Sequence, residues 1–297
     1  ENIFKKYEWL KEKKRPFIIS ADYDGLICAS FLSHYLNWKL VGYYDYQSIW
    51  LSDEAKKNKK NIIWVDLNIL PKSGKSIGGH IVSINGEMQS GFKSSCNLNI
   101  LQGLTAKDFN KKYPFSTLLF LLWLHNIEYK KNDIGKLLIM HSDNTWMKIQ
   151  KYSENVCNWK TLLSDYNWDK LFLNIDSLDY EKKVDQYLYP KLIKIGASSK
   201  FSKLNIKSRE YTFNPDWDGD VILRLLDIFA IHLGWTPPKV PAISRRIDGK
   251  RFKKSLQELE KNGLKKYIKN NNLFSYAITS FKIINYTIFN KYHNNGK

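Results

Sequence analysis

Residues 17–25, Phe-Ile-Ile-Ser-Ala-Asp-Tyr-Asp-Gly, constrain the fold of this chain more than any other stretch. An apolar run of strand length stops at two carboxylates one residue apart, and a glycine follows. Phe17–Ala21 reads as a short buried strand. Gly25 permits a tight turn, and Leu26–Leu36 continues as an apolar helix rich in small residues. Asp22 and Asp24 therefore stand at the carboxyl end of a strand, where open α/β sheets hold their ligands. Two carboxylates this close repel one another unless a cation lies between them, and hard oxygen donors suit Mg²⁺ or Mn²⁺. The same pair also serves as a cap for the following helix, and this stretch alone does not choose between the two roles.

The pattern repeats along the first half. Apolar strand-like runs fall at Lys39–Asp45, Asn61–Leu67, His80–Asn85 and Lys136–Met140, and Phe115–Ile127 is apolar on all sides, as a buried helix is. This alternation predicts an α/β fold over residues 1–150, a mostly parallel sheet with helices on both faces. Residues 151–200 read as a helical connector. Near Ser202 the character changes: Tyr211–Phe213 suits a strand and Asp220–Gly234 an apolar helix, with Asp216, Asp218 and Asp220 at its start. A Pro-rich loop follows over Thr236–Ala242, and Phe252, Leu256, Leu259, Gly263 and Tyr267 fall at helical spacing. The expectation is a smaller, basic α+β domain over 201–297. No internal repeat is visible.

Charge narrows the partners. The 47 basic and 29 acidic residues leave a formal charge of +18, which favours polyanions such as nucleic acid. Arginine is a small minority of those cations, so lysine–phosphate contacts that ignore base identity are expected to dominate. Residues 239–269 concentrate this excess, with Arg245, Arg246, Lys250 and Arg251 ahead of an amphipathic helix. They suit either a solvated face or a track for a phosphate backbone. No apolar run reaches membrane-span length. Three widely spaced cysteines, Cys28, Cys96 and Cys157, and the charged start of the chain suggest a cytoplasmic protein with reduced thiols rather than a secreted one.

Ligand-type residues recur at the ends of the apolar runs: Asp22 and Asp24, then Asp66, His80 and Asp143. In a parallel sheet those ends share one edge, so the residues can converge on one or two divalent ions. Each also has an ordinary structural role open to it, Asp66 and Asp143 as caps and His80 as a core histidine. Ser73-Gly74-Lys75-Ser76 has the end of a phosphate-binding loop, but its first glycine falls on Ile69, so it reads as a Lys-rich loop.

The order of these segments resembles the DHH phosphoesterase family, which includes RecJ-like single-strand exonucleases, oligoribonucleases and cyclic-dinucleotide phosphodiesterases. Asp22-Tyr23-Asp24-Gly25 is similar to the family's first motif, Asp66 in Trp64-Val65-Asp66-Leu67-Asn68 to its second, Gly78-Gly79-His80 to its third and Asp143-Asn144-Thr145 to its fourth. The resemblance spans about residues 15–150. It implies Mn²⁺ or Mg²⁺ held by Asp22, Asp24, Asp66 and Asp143, with His80 as a further ligand. It also implies hydrolysis of short or single-stranded nucleic acid, with Arg245, Arg246, Lys250 and Arg251 holding substrate phosphates. Ser20 replaces the family's histidine two residues before the first aspartate, and Gly78 and Gly79 replace the Asp and first His of the third motif. Those departures favour one alternative, a DHH-like protein whose metal centre has decayed and which is retained to bind nucleic acid or a protein partner. A second alternative, a hydrolase of nucleotides or cyclic dinucleotides, is favoured if the charged second domain closes a small pocket.

Overall fold

A computed structural model describes residues 3–71, 74–129, 132–172, 177–195 and 213–289. Its main sheet contains β1 (Pro16–Ser20), β2 (Lys39–Tyr44), β3 (Ser48–Ser52), β4 (Ile63–Val65), β5 (Lys75–Ile77), β6 (Ser95–Cys96) and β7 (Ile243–Asp248). The spatial order is β6-β5-β4-β1-β2-β3-β7. The run from β6 to β2 is parallel, and β3 and β7 close the far side antiparallel. The fold is α/β with a mostly parallel sheet, as the alternation of segments predicts.

β1 is apolar throughout because it is central and covered on both sides. Phe17 and Ile19 enter one core while Ile18 enters the other. The first core is packed by helices α1 (Tyr23–Leu36), α2 (Thr117–Leu124), α3 (Asp133–His141) and α4 (Gly219–Leu233). On the opposite face lie Val41, Tyr44 and Leu51, with Ala55 from the short helix Asp53–Lys57.

A separate antiparallel sheet, ordered β8-β10-β9, is formed by β8 (Lys250–Ser255), β9 (Leu273–Ser280) and β10 (Ile283–Ile288). It is tied to the first half of the chain. Leu70 N donates to Phe274 O at 2.7 Å and Ile278 N to Ile81 O at 2.9 Å. The hydroxyls of Tyr44 and Ser275 share a 2.6 Å hydrogen bond. The described part of 201–297 thus divides between the two sheets, with α4 and β7 joining the main core and β8 to β10 forming the small sheet.

Several elements differ from the sequence expectation. Lys136–Met140 is not a strand but the body of α3, whose amino end is capped by Asn132 Oδ1 accepting from Gly135 N at 2.7 Å. Leu137, Leu138, Ile139 and Met140 are all buried, and a short run apolar on every side fits a buried helix as well as a strand. Asp143 accordingly follows a helix. His80–Asn85 makes only isolated bridges, Ile81 to Ile278 and Ile84 to Glu87. The strand lies earlier, at Lys75–Ile77, within the segment that reads as a loop. Phe252 sits in β8 stacked on Tyr286, and the helical spacing begins only at Leu256. Of the expected strand at 211–213, residues 211 and 212 lie outside the described residues; Phe213 belongs to no strand, and its N donates to Ala21 O at 3.1 Å. Among the described residues no helix is long and apolar enough to cross a membrane.

Two glycines differ sharply in the space around them. A Cβ on Gly25 would stand 2.0 Å from the Ser20 carbonyl oxygen, whereas one on Gly79 would meet nothing nearer than Tyr113 Cδ1 at 3.8 Å. Gly25→Ala is therefore expected to destabilise by about 3 kcal/mol or more, and Gly79→Ala by less than about 1 kcal/mol. Urea unfolding of both variants checks this; equal losses would contradict the close approach at Gly25.

Candidate metal centre and its cationic rim

The carboxyl ends of β1 and β4 are neighbours in the sheet, so the residues leaving them meet. Asp22 is the N-cap of α1, its Oδ1 accepting from Gly25 N at 2.9 Å, and Asp24 lies in the first turn of the same helix. Asp66 leaves β4 with φ +61°, a left-handed conformation that aspartate tolerates better than most residues. Carboxylate oxygens of Asp22, Asp24 and Asp66 all lie within 4.8 Å of one another. Asp24 is only 4% exposed. Three acidic side chains converging from two strand ends form the all-oxygen donor set that a hard divalent cation takes.

Hydroxyls organise this set. Ser20 Oγ lies 2.7 Å from Asp22 Oδ1 and 2.8 Å from Asp66 Oδ2. Thr117 Oγ1, at the start of α2, donates to Asp66 Oδ1 at 2.5 Å. A hydroxyl has one proton to give, so Ser20 satisfies both carboxyls only if one of them carries a proton. The electrostatics agree. Burial raises the Asp22 carboxyl above its ordinary range, with the charge of Asp143 adding to the effect. Burial, and then the charge of Asp22, push Asp66 well up. A cation between the carboxylates would remove the need for that proton. Ser20, which stands where the resemblance expects a histidine, contacts the Asp22 and Asp66 carboxyls instead.

The other expected ligands lie around this set and are not part of it among the described residues. Asp143 is ion-paired with Lys148, although its charge still reaches Asp22 and Asp66. His80 is held by its backbone, whose carbonyl accepts from Asn97 Nδ2 at 2.7 Å. Burial, and secondly the charge of Lys112, push its imidazole down to about 4, so it is neutral at physiological pH. The charges of Lys148 and Arg251 also act on it. Gly78, in the third-motif segment, cannot carry a side chain: a Cβ there would lie 2.7 Å from Leu67 O.

Of the four basic residues singled out in the sequence, Arg251 alone borders the centre. Its guanidinium lies over the Tyr46 ring, 5.4 Å from the centroid, and Tyr46 OH donates to Asp66 O at 3.3 Å. Arg246 is engaged elsewhere, bonded to Asp216 at 2.7 Å and Asp248 at 2.6 Å and lying over Trp50. Arg245 and Lys250 are exposed on β7 and at the start of β8. Ser20's ordering role, Thr117, Tyr46, Lys112 and Lys148 are not legible in the sequence.

No family model, curated protein or solved structure matches the chain.

Carboxyls raised in the folded state favour folding while protonated, and that contribution is lost as pH rises through their raised values. Metal-free protein is thus expected to lose thermal stability, relative to Asp66→Asn, as pH climbs above the ordinary carboxylate range of about 4. Added Mg²⁺ or Mn²⁺ should restore the wild type selectively at the upper end. Thermal melts of the two proteins across pH check this, and parallel profiles would contradict the buried acidic cluster.

Proposed function

We propose that the protein is a divalent-metal-dependent phosphodiesterase acting on single-stranded or short nucleic acid, with Asp22, Asp24 and Asp66 holding Mn²⁺ or Mg²⁺. The observation that carries this reading is the meeting of three carboxylates within 4.8 Å at adjacent ends of parallel strands. The resemblance to the DHH phosphoesterases, read from the same residues, points the same way. A cation bound there supplies Lewis-acid polarisation of a phosphoryl oxygen and lowers the pKa of water. The chain's own groups do the rest. Ser20 and Thr117 fix the carboxylates, Asp143 adds negative charge from the side, and Arg251 borders the centre with charge for a substrate phosphate. The net charge of +18 favours a polyanionic substrate over a neutral one. Three free cysteines, two of them buried, accord with a reducing, cytoplasmic setting.

One observation favours a second reading, a DHH-like fold kept for binding alone. Gly78 has no room for a side chain, so an acidic ligand of the third motif has no place there. That reading expects salt-sensitive binding of single strands and no hydrolysis with any divalent ion.

Asp66→Ala is expected to lower Mn²⁺-dependent hydrolysis of short oligonucleotides by at least ~100-fold, and Ser20→Ala by roughly 10-fold, the range for losing an outer partner of a ligand. Both should unfold cooperatively. Full activity in Asp66→Ala would remove this carboxylate from the centre, and an inactive wild type would favour the binding reading.

A further inference from the structure

The carboxyl end of α3 is bonded to both halves of the acidic centre's surroundings. Leu138 O and Ile139 O are among the last four carbonyls of that helix, which a helix leaves without regular partners. Side chains meet them. Tyr23 OH donates to Leu138 O at 2.8 Å, and Ser142 Oγ donates to Ile139 O at 2.6 Å. Tyr23 stands between Asp22 and Asp24, is fully buried, and sets its ring edge-on to His141 with the centroids 5.0 Å apart. The first half of the centre is therefore fastened to α3 through the residue between its two acids.

The second half is fastened through a chain of hydroxyls. Ser142 Oγ and Ser116 Oγ lie 2.7 Å apart, and both residues are buried. A hydroxyl has one proton and Ile139 O can only accept, so Ser142 gives its proton there and Ser116 donates to Ser142. Ser116 Oγ in turn accepts from Leu119 N at 3.3 Å as the N-cap of α2. The next residue, Thr117, donates to Asp66 Oδ1. Ser142 is held on its other side as well. Asp143 and Asn144 follow it at φ +46° and +50°, two successive left-handed residues, and Thr145 Oγ1 closes the turn by donating to Ser142 O at 2.8 Å. Such a backbone persists where its surroundings fix it.

The sheet alone does not fix the distance between the two halves. Pairing between β1 and β4 ends at Ile19 and Val65, one residue short of Ser20 and Asp66. We propose that Tyr23 and Ser142 are positioning residues that, through α3, brace the acidic centre against spreading and so make it select the smaller divalent cations, Mn²⁺ or Mg²⁺, over Ca²⁺. The proposal rests on the reading of Asp22, Asp24 and Asp66 as cation ligands. Selection follows from size and rigidity. Mg²⁺ demands oxygens at about 2.0–2.1 Å in near-ideal octahedral geometry, whereas Ca²⁺ takes more of them, at about 2.3–2.6 Å, in a flexible one. Carboxylates that cannot move apart suit the first ion and not the second.

The test is Mn²⁺ binding in solution with Ca²⁺ as the competitor, on wild type, Tyr23→Phe and Ser142→Ala, each first shown to melt cooperatively. Wild type should hold Mn²⁺ against an excess of Ca²⁺. Each variant should bind Mn²⁺ roughly tenfold more weakly, the loss expected for an outer partner of a ligand. Ca²⁺ affinity should stay the same, so the preference for Mn²⁺ shrinks by that factor. Tyr180 OH donates to Leu137 O at 3.1 Å, so Tyr180→Phe removes a comparable buried bond on α3 that leads to neither half of the centre. It should lower stability and leave the preference intact. A preference unchanged in a folded Tyr23→Phe or Ser142→Ala, or reduced as far in Tyr180→Phe, overturns the brace and leaves the metal centre standing. A wild type that binds no Mn²⁺ overturns both.

Discussion

Gly25 lies so close to the end of β1 that any side chain there would collide with the Ser20 carbonyl. That approach lets α1 start directly where β1 stops, with only Ala21 and Asp22 between them. Because the turn is so short, Asp22 caps α1, Asp24 falls in its first turn, and Ser20 remains within reach of Asp66 on the next strand. A looser connection would separate these groups and break up the cluster of three carboxylates. Ser20 and Thr117 supply hydroxyl partners to Asp22 and Asp66, which offset part of the cost of burying those acids.

The position of Arg251 depends on a different part of the chain. Aromatic packing joins the small sheet to the main one: Phe274 meets Tyr44 and Trp64 edge-on, and Phe289 packs against Phe274. Thr287 Oγ1 donates to Tyr46 O, anchoring β10 at the turn between β2 and β3. The turn itself is set by Asp45, whose Oδ1 accepts from Gln47 N and Ser48 N at 2.8 and 2.6 Å. Tyr46 on that turn then faces Asp66 on one side and Arg251 on the other. A hairpin remote from the acids in sequence thereby sets how far the cationic rim stands from them.

The acidic half of the site was legible because Asp22, Asp24 and Asp66 each end an apolar run that folds as a central parallel strand, and adjacent parallel strands bring their ends together. His80 and Asp143 were misplaced in local structure for opposite reasons. The strand before His80 is short and carries Lys75 and Ser76, so its polarity hid it. The last turn and a half of the helix before Asp143, Leu137 to His141, is buried without a break, so that short run showed no period of 3.6 to distinguish it from a strand. The antiparallel β3 and β7 gave no distinct signal, and β7 is largely exposed and arginine-bearing. Lys112 and Lys148 were invisible because lysine is abundant here and only the tertiary fold singles out two of them.

Direct binding of a divalent cation tests the account most simply. Mn²⁺ titration followed by electron paramagnetic resonance, on wild type and on Asp24→Asn, isolates one carboxylate of the cluster without removing its volume. The account predicts saturable Mn²⁺ binding by the wild type, displaced by Mg²⁺, and binding weakened by at least about tenfold in the variant, since each ligand of a hard-ion site contributes charge as well as geometry. Wild-type protein that leaves Mn²⁺ free in solution, or an Asp24→Asn variant that binds it equally well, would contradict the assignment of Asp22, Asp24 and Asp66 as a metal centre.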